Sequence, residues 1–348
     1  MKKILSAFIS VALLLTACTE NPSTIEQNTN ESTTEQSSEY DPFAKTNDEA
    51  VSSTVGSYNY GVEWEEGKEL VLDYAPTVSF RYFVNNSGNA ADFGLLIFVN
   101  GIRQPYRTEE NTENKLLHIF DVQQNERKVQ TIEFEPVVGE IGDEVSVEII
   151  SMFEPSYINT ESSVYNFYHN ISSLLPSKMN VTKKTNLSEP EICSDYMVTS
   201  ITEEMLQEFN SYGSENGNPL DNQVYIDTLK NEKFYTPKAL LEEEPDITPF
   251  TLNDTVTLCM YGGAPCKYRV SMYINHDLVA GAFDGADYID ITTANDSICK
   301  KTININNLNI ELKDYNYLYF IAVPFYTEGD YEENMVMKSS SVTLTSMK

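Results

Sequence analysis

The reactive side chains of this chain are few: five cysteines and three histidines, set among 53 carboxylates. Behind Cys18 come Cys193, Cys259, Cys266 and Cys299, an even set that suits two disulfides with three pairings. Zinc is the weaker alternative, because no C-x-x-C occurs. Strand parity discriminates among the pairings. With Val256, Leu258 and Met260 facing inward, Cys259 faces out, whereas Cys266 shares a face with Val270, Met272 and Ile274. Cys299 shares a face with Ile303 and Ile305. Parity therefore favours a buried Cys266–Cys299 bridge, with Cys193 tying to Cys259. A local Cys259–Cys266 link across the Gly262-Gly263 turn is the alternative.

His118, His169 and His276 show no paired ligand spacing such as H-E-x-x-H. His118 falls in an alternating strand pattern and His276 at a turn, and both read as structural. No G-x-S-x-G elbow, P-loop or Rossmann glycine pattern occurs. Carboxylate pairs are so common here that spacing nominates no glycosidase acid and nucleophile. Glu242-Glu243-Glu244 reads as a solvated face. Asp284-Gly285-Ala286-Asp287 reads as a turn, since it lacks the spaced ligands of a calcium loop. Ca²⁺ is thus a weak option, and no cofactor is expected. Tyr58, Tyr60, Tyr315, Tyr317 and Tyr319 offer rings for a sugar platform, but Trp64 is the one tryptophan and alternating tyrosines usually pack. Tyr315-Asn316-Tyr317, just before an apolar strand, has the form of a tyrosine corner.

A formal net charge of −30 argues against nucleic-acid partners and against direct adhesion to anionic lipid headgroups, both of which require clustered Lys and Arg. At 41% hydrophobic and 11% aromatic, with 22 Tyr and 16 Phe, the chain can build packed cores and favours strands. Its length allows about two domains.

Short alternating or apolar runs bounded by turn signals predict antiparallel β-sandwiches. Thr77-Val78-Ser79-Phe80 matches Thr255-Val256-Thr257-Leu258 at an offset of 178. Leu95 to Asn100 matches Val270 to Asn275 at 175. Thr131-Ile132-Glu133-Phe134 matches Thr302-Ile303-Asn304-Ile305, and Glu140-Ile141-Gly142-Asp143 matches Glu311-Leu312-Lys313-Asp314, both at 171. Order and polarity agree, so the chain is read as two copies of one mainly β sandwich. Sandwich one spans 48–185 and sandwich two 240–348. The connector, 186–239, carries Ser200-Ile201-Thr202-Glu203 with capping-box spacing, which predicts a short helix over 201–210. The connector either packs between the sandwiches or is an insertion in the second.

At the N-terminus, Met1-Lys2-Lys3, an apolar run over 4–14 and Leu15-Thr16-Ala17-Cys18 resemble the signal peptide and lipobox of bacterial lipoproteins. The resemblance implies that the Cys18 thiol receives a diacylglyceryl group and that cleavage removes 1–17. The chain is then held on the extracytoplasmic face of the cell membrane. An ordinary secretory signal is the alternative, since Ala17 also suits conventional cleavage. The apolar run is shorter than the roughly 20 residues of a membrane span. Residues 18–47, polar and rich in Ser, Thr, Glu and Asn, read as a disordered tether. Together with Phe98-Val99-Asn100-Gly101 and the Val137-Val138-Gly139-Glu140-Ile141-Gly142-Asp143 segment, these features resemble Gram-positive, clostridial-type surface lipoproteins with tandem immunoglobulin-like domains. That class brings no catalytic residues. It implies a non-enzymatic surface protein that contacts a protein partner or forms an envelope scaffold. A carbohydrate-binding lipoprotein and an enzyme with an unrecognised carboxylate site are the alternatives.

Overall fold

The structure is a computed structural model. It describes residues 58–63, 71–88, 92–157, 171–173, 177–183, 189–202, 238–241, 250–251, 255–261, 266–294, 296–325, 336–339 and 341–345. The signal and lipobox with Cys18, the tether, Trp64, His169, Glu242-Glu243-Glu244 and Gly262-Gly263 lie outside the described residues.

The first sandwich has an outer sheet of β1 (Tyr58–Val62), β3 (Val78–Asn86), β8 (Glu126–Phe134) and β6 (Arg107–Thr108), in that spatial order. Its inner sheet runs β2 (Val71–Leu72), β11 (Ser177–Asn180), β9 (Glu144–Phe153), β4 (Asp92–Val99) and β5 (Ile102–Arg103). Off that path β7 (His118–Asp121) pairs with β4, and β10 (Ile171–Ser173) with β9.

The second sandwich repeats the plan. Its outer sheet is β13 (Met197–Ser200), β20 (Ser297–Asn304), β16 (Thr255–Tyr261) and β14 (Lys238–Leu241). Its inner sheet is β12 (Ile192–Cys193), β19 (Tyr288–Thr292), β17 (Lys267–Ile274), β21 (Tyr315–Phe325), β23 (Val342–Thr345) and β15 (Phe250–Thr251). A short β18 (Asp277–Leu278) pairs with β17, and β22 (Met337–Lys338) with β21. In both copies a short early strand joins the last strand in parallel, β2 on β11 and β15 on β23. Both are immunoglobulin-like antiparallel sandwiches.

Outer and inner sheets differ because their surroundings differ. On β3 the buried residues alternate with exposed or half-buried ones, as one wet face requires. On β4 all eight residues are buried. Phe93, Leu95, Ile97 and Val99 enter the first core, and Leu96 and Phe98 point the other way. That second face meets the equivalent face of the other sandwich. Leu96, Phe98, Ile150 and Met152 form one cluster with Tyr273, Tyr319, Ile321 and Val323. The sheets thus stack in four layers with three cores, two within sandwiches and one between them.

Backbone pairing confirms the repeat in atomic detail. Asn100 and Asn275 both turn with positive φ, of 48° and 52°. The Asn100 side chain accepts from Ser146 N at 2.9 Å, and Asn275 from Tyr317 N at 3.1 Å. Their own N–H groups donate back to Ser146 O and Tyr317 O. The registers of β4 on β9 and of β17 on β21 agree with offsets of 175 and 171. For β3 and β16, pairing with β8 and β20 moves the equivalence one two-residue step, from 178 to 176. Side-chain parity survives such a step, which is why the sequence pattern alone does not detect it.

The connector departs from expectation. Its residues 192–193 and 197–200 form β12 and β13, edge strands of the second sandwich. The partly helical connector is not supported. Ser200 ends a strand, Ile201 N donates to Asp296 O at 3.2 Å, and 203–210 lie outside the described residues. Among the described residues the one helical element is a 3₁₀ turn at Ile305–Asn307.

Because the middle core belongs to both sandwiches, damage there should be felt by both. Ile150→Ala removes fully buried methyl groups from it and is expected to destabilise the protein by about 2–5 kcal/mol. Calorimetry should show one shifted transition shared by both sandwiches. Two separated transitions, with only the first displaced, would contradict the shared core.

Candidate functional site

Among the described residues, the seam between the sandwiches holds the buried charges Arg103, Glu148 and Arg269. Each hairpin that follows the first central strand places its tip on the opposite sandwich. At the first tip, Gly101 has φ 70°, and a Cβ there would lie 2.8 Å from Arg269 Cβ, so this close approach needs glycine. Arg269 is 4% exposed and donates through Nη1 to Asn100 O at 3.0 Å. Its Nε and Nη2 form a fork on Asp290, at 2.8 and 3.0 Å. Lys267 adds a third contact to Asp290 at 2.7 Å. Burial pushes the Asp290 carboxyl up, but hydrogen bonds and charge from Arg269 and Lys267 outweigh it and hold the group below its ordinary range.

The second tip answers the first. His276 stands where Gly101 stands in the first copy. One ring nitrogen meets Pro155 O at 2.8 Å and the other Tyr319 Oη at 2.9 Å. A carbonyl only accepts, so Nε2 carries the proton and Nδ1 accepts from Tyr319. Burial lowers the His276 pKa and favours this neutral form.

Between the tips, cross-strand pairing places Arg103, Phe98 and Glu148 in one row. Arg103 is 3% exposed. Its Nη2 donates to Leu116 O at 2.6 Å, and its guanidinium lies 5.2 Å from the Phe98 ring centre and 5.4 Å from that of Tyr273. Glu148 is 1% exposed, and its Oε1 has no hydrogen-bond partner. Burial pushes its carboxyl up to about 8. Lys338 Nζ donates to Ser339 O at 3.0 Å and Ser341 Oγ at 2.9 Å, 4.5 Å from the Tyr319 ring centre. Burial draws its pKa down to about 7.

Lys338 and Ser341 have the composition of a nucleophile–base pair. The lysine donates to the serine, however, and Ser341 is only 1% exposed, so no substrate carbonyl reaches it. Their visible role is to fasten the strand edge.

The residues singled out by sequence are placed as follows. Cys266 and Cys299 share the second core, and Cys193 packs against it. Cys259 lies on the opposite face of β16, across from Lys300 and Leu240. The structure therefore does not bring Cys193 and Cys259 together, and no disulfide joins the four cysteines. His118 is buried, with Nε2 against Tyr106 O at 2.8 Å and its backbone N–H on Tyr106 Oη at 3.0 Å. Asp284-Gly285 forms the two-residue tip of a hairpin closed by Phe283 and Ala286, with φ of 54° and 99°. Its carboxylates serve the fold: Asp284 pairs with Lys301 at 2.5 Å, and Asp287 accepts from Gly281 N at 2.8 Å. Among the described residues no group of three or more His, Cys, Asp or Glu converges as a metal site would require.

Four of the five tyrosines are packing groups: Tyr58 and Tyr60 set their rings tilted and edge-on against Phe153, and Tyr317 and Tyr319 are buried, while Tyr315 is half-buried. The corner device at 315–317 is built by Asn316, whose side chain binds Lys313 N and O and Leu344 O.

No protein-family model and no curated protein matches the chain. Among solved structures it is similar to self-complemented MyfA, the major subunit of Myf fimbriae from Yersinia enterocolitica. Identity is 14% over 37% of this chain and 99% of that one, with a TM-score of 0.21. It is similar to the CsuC–CsuE chaperone–tip adhesion subunit complex of Acinetobacter baumannii, at 11% identity over 84% and 100%, TM-score 0.20. The Salmonella enterica SafA pilin–SafB chaperone complex gives 8% identity over 83% and 96%, TM-score 0.23. The sandwich assignment rests on the sheets and cores described above.

Among the seam's displaced titrations, those of Glu148 and Lys338 have opposite signs. Glu148 rises from 4.5 to about 8, so its stability contribution is full below pH 4.5 and is lost as pH climbs through 8. Lys338 falls from 10.5 to about 7, so its contribution is full above pH 10.5 and is lost as pH drops through 7. Both are least favourable near pH 7–8. Urea unfolding followed against pH should show Glu148→Gln abolishing the decline between about pH 5 and 8, and Lys338→Met abolishing the recovery between about pH 7 and 10. A Glu148→Gln profile that keeps the wild-type decline would exclude the carboxyl as its source.

Proposed function

We propose that this chain is a lipid-anchored, extracytoplasmic surface protein without enzymatic activity, whose tandem immunoglobulin-like sandwiches act as one rigid body for contact with a protein partner. The observation that carries this reading is the doubly buried pair of inner sheets. They spend their polar groups and best apolar faces on holding the two sandwiches together, leaving the outer sheets and strand edges as the presented surface. The lipobox-like Leu15-Thr16-Ala17-Cys18 and the polar tether support an anchored body held off the membrane. Scaffolding of the envelope would use the same construction. The glycan reading finds little support in the tyrosines that suggested it, four of which, Tyr58, Tyr60, Tyr317 and Tyr319, are engaged in packing.

An extracytoplasmic location is oxidising. There, we propose, Cys266 and Cys299, which share the second core, are the pair that bridges. Cys299 Sγ lies 3.4 Å from Thr292 O, and the neighbouring Thr293 exchanges backbone and side-chain hydrogen bonds with Cys266. Oxidation by a disulfide-exchange partner would join the two sulfurs, transferring two electrons and two protons to that partner.

Anchoring is tested with Cys18→Ser, which should lose palmitate label and appear in the medium. A variant that stays membrane-bound and labelled refutes the anchor. For the bridge, peptide mapping without reduction of the secreted protein should recover Cys266 joined to Cys299. A Cys193–Cys299 peptide would refute that pairing.

A further inference from the structure

We infer that the edge of β13 away from β20, unpaired among the described residues of the second sandwich, is a strand-addition site for an extended, cationic segment of another protein. The inference rests on the protein-contacting role proposed above and names its surface and partner chemistry.

Four observations carry it. First, β13 stands at the end of its sheet, with β20 as its one strand neighbour among the described residues. Second, all four of its residues, Met197, Val198, Thr199 and Ser200, are exposed and none is charged. Other edges are defended: β6 carries Arg107 paired with Glu133 at 2.9 Å, and β7 ends in Asp121. Natural sheets shield edges with charge or extreme shortness, because an open row of N–H and C=O groups templates further pairing.

Third, the apolar residues of β13 are distributed for an added strand. Register places Met197 opposite Lys300 on the outer face and Val198 opposite Cys299 on the inner face. Each is 57% exposed, the largest values among the exposed apolar residues apart from Ile141. A strand laid alongside would find main-chain partners at the edge and one apolar contact on each face, which matches the alternation of an extended peptide.

Fourth, charge selects the occupant. Asp195, 90% exposed although its carboxylate lies 3.5 Å from Lys301 Nζ, precedes β13, and the exposed Asp296 sits at its far end, where its carbonyl receives Ile201 N. With a formal charge of −30, a second copy of this chain is repelled, whereas a lysine-bearing peptide is attracted.

The test uses the full chain in detergent and the acetylated, amidated peptide KVTVKVTVK. Its controls are EVTVEVTVE and the strand-breaking KVTPKVTPK. Isothermal titration should give saturable binding to the first peptide alone, weakened by about tenfold or more when salt rises from about 0.05 to 0.5 M. Hydrogen exchange should slow at 197–200 on binding. Val198→Lys, at an exposed position, should leave thermal unfolding unchanged and reduce affinity by about tenfold or more, while Ile119→Lys, on a different edge, should leave affinity intact.

Equal binding by Val198→Lys, or protection confined to another strand, overturns the edge assignment and leaves the protein-contact role standing. Equal binding of the acidic peptide overturns the cationic partner. Sedimentation showing a dimer that Val198→Lys dissociates makes the occupant a second copy and overturns the proposal. No binding of any peptide by the folded chain overturns it outright.

Discussion

Burying both faces of the two inner sheets is the constraint on which the rest of this structure depends. A sheet with one wet face tolerates polar residues at every second position, and β3 follows that rule. Strands β4 and β21 do not have that freedom. Every described residue of β4 is buried, and from Asn316 to Val323 every residue of β21 is buried as well. Fixing the two sandwiches in this way converts tandem domains into four layers. It also explains why both hairpin tips reach across: the turns that end the doubly buried strands lie at the borders of the middle core, where they can close it.

Apolar packing alone does not fix the rotation of one sheet over another, since dispersion and hydration are largely indifferent to direction. The polar ties supply that direction. Asn100 O is held by Arg269 from one side, and Pro155 O by His276 from the other. The two ties use the repeat-related hairpin tips, Asn100-Gly101 as acceptor in one and Asn275-His276 as donor in the other, so each sandwich sends its tip to its neighbour. Phe98 and Tyr273 occupy matching positions and keep an aromatic ring in both copies, whereas Glu148 matches Tyr319. At that second pair the copies differ, with a phenol on one side and a carboxyl with an unpaired oxygen on the other. A buried, incompletely bonded acid costs stability, and its retention of a proton at neutral pH limits that cost.

Much of the architecture was legible in the residues. The run Leu95-Leu96-Ile97-Phe98-Val99 and the alternation at Thr131-Ile132-Glu133-Phe134 reported buried and half-buried strands correctly, and the offsets of 175 and 171 survive in the cross-strand pairing. The asymmetry between continuous and alternating runs also held the seam, because only a strand covered on both faces can afford five apolar residues in succession. The connector was harder. Ile192-Cys193 and Met197-Val198-Thr199-Ser200 are too short for periodicity to register, and their strand character comes from pairing with β19 and β20. Capping-box spacing at Ser200 and Glu203 is a local signal, and for Ser200 tertiary pairing prevailed over it.

The polar residues of the seam were illegible for a different reason. Arg103, Glu148 and Lys338 look like ordinary surface charges in a chain with so many, and no spacing rule separates a buried carboxylate from 52 others. Glu148 did carry a local sign, sitting directly before Ile149-Ile150 in a strand whose outward face should have been dry, but the sign acquires meaning only once that face is known to be covered. Asn316 shows the same limit. Its neighbours Tyr315 and Tyr317 suggested a tyrosine corner, yet the side chain that reaches Lys313 and Leu344 is the amide between them, whose oxygen accepts from Lys313 N while its NH2 donates to the carbonyls of Lys313 and Leu344. Sequence patterns report which faces are buried; which polar group satisfies a buried backbone is decided by what the second layer brings against it.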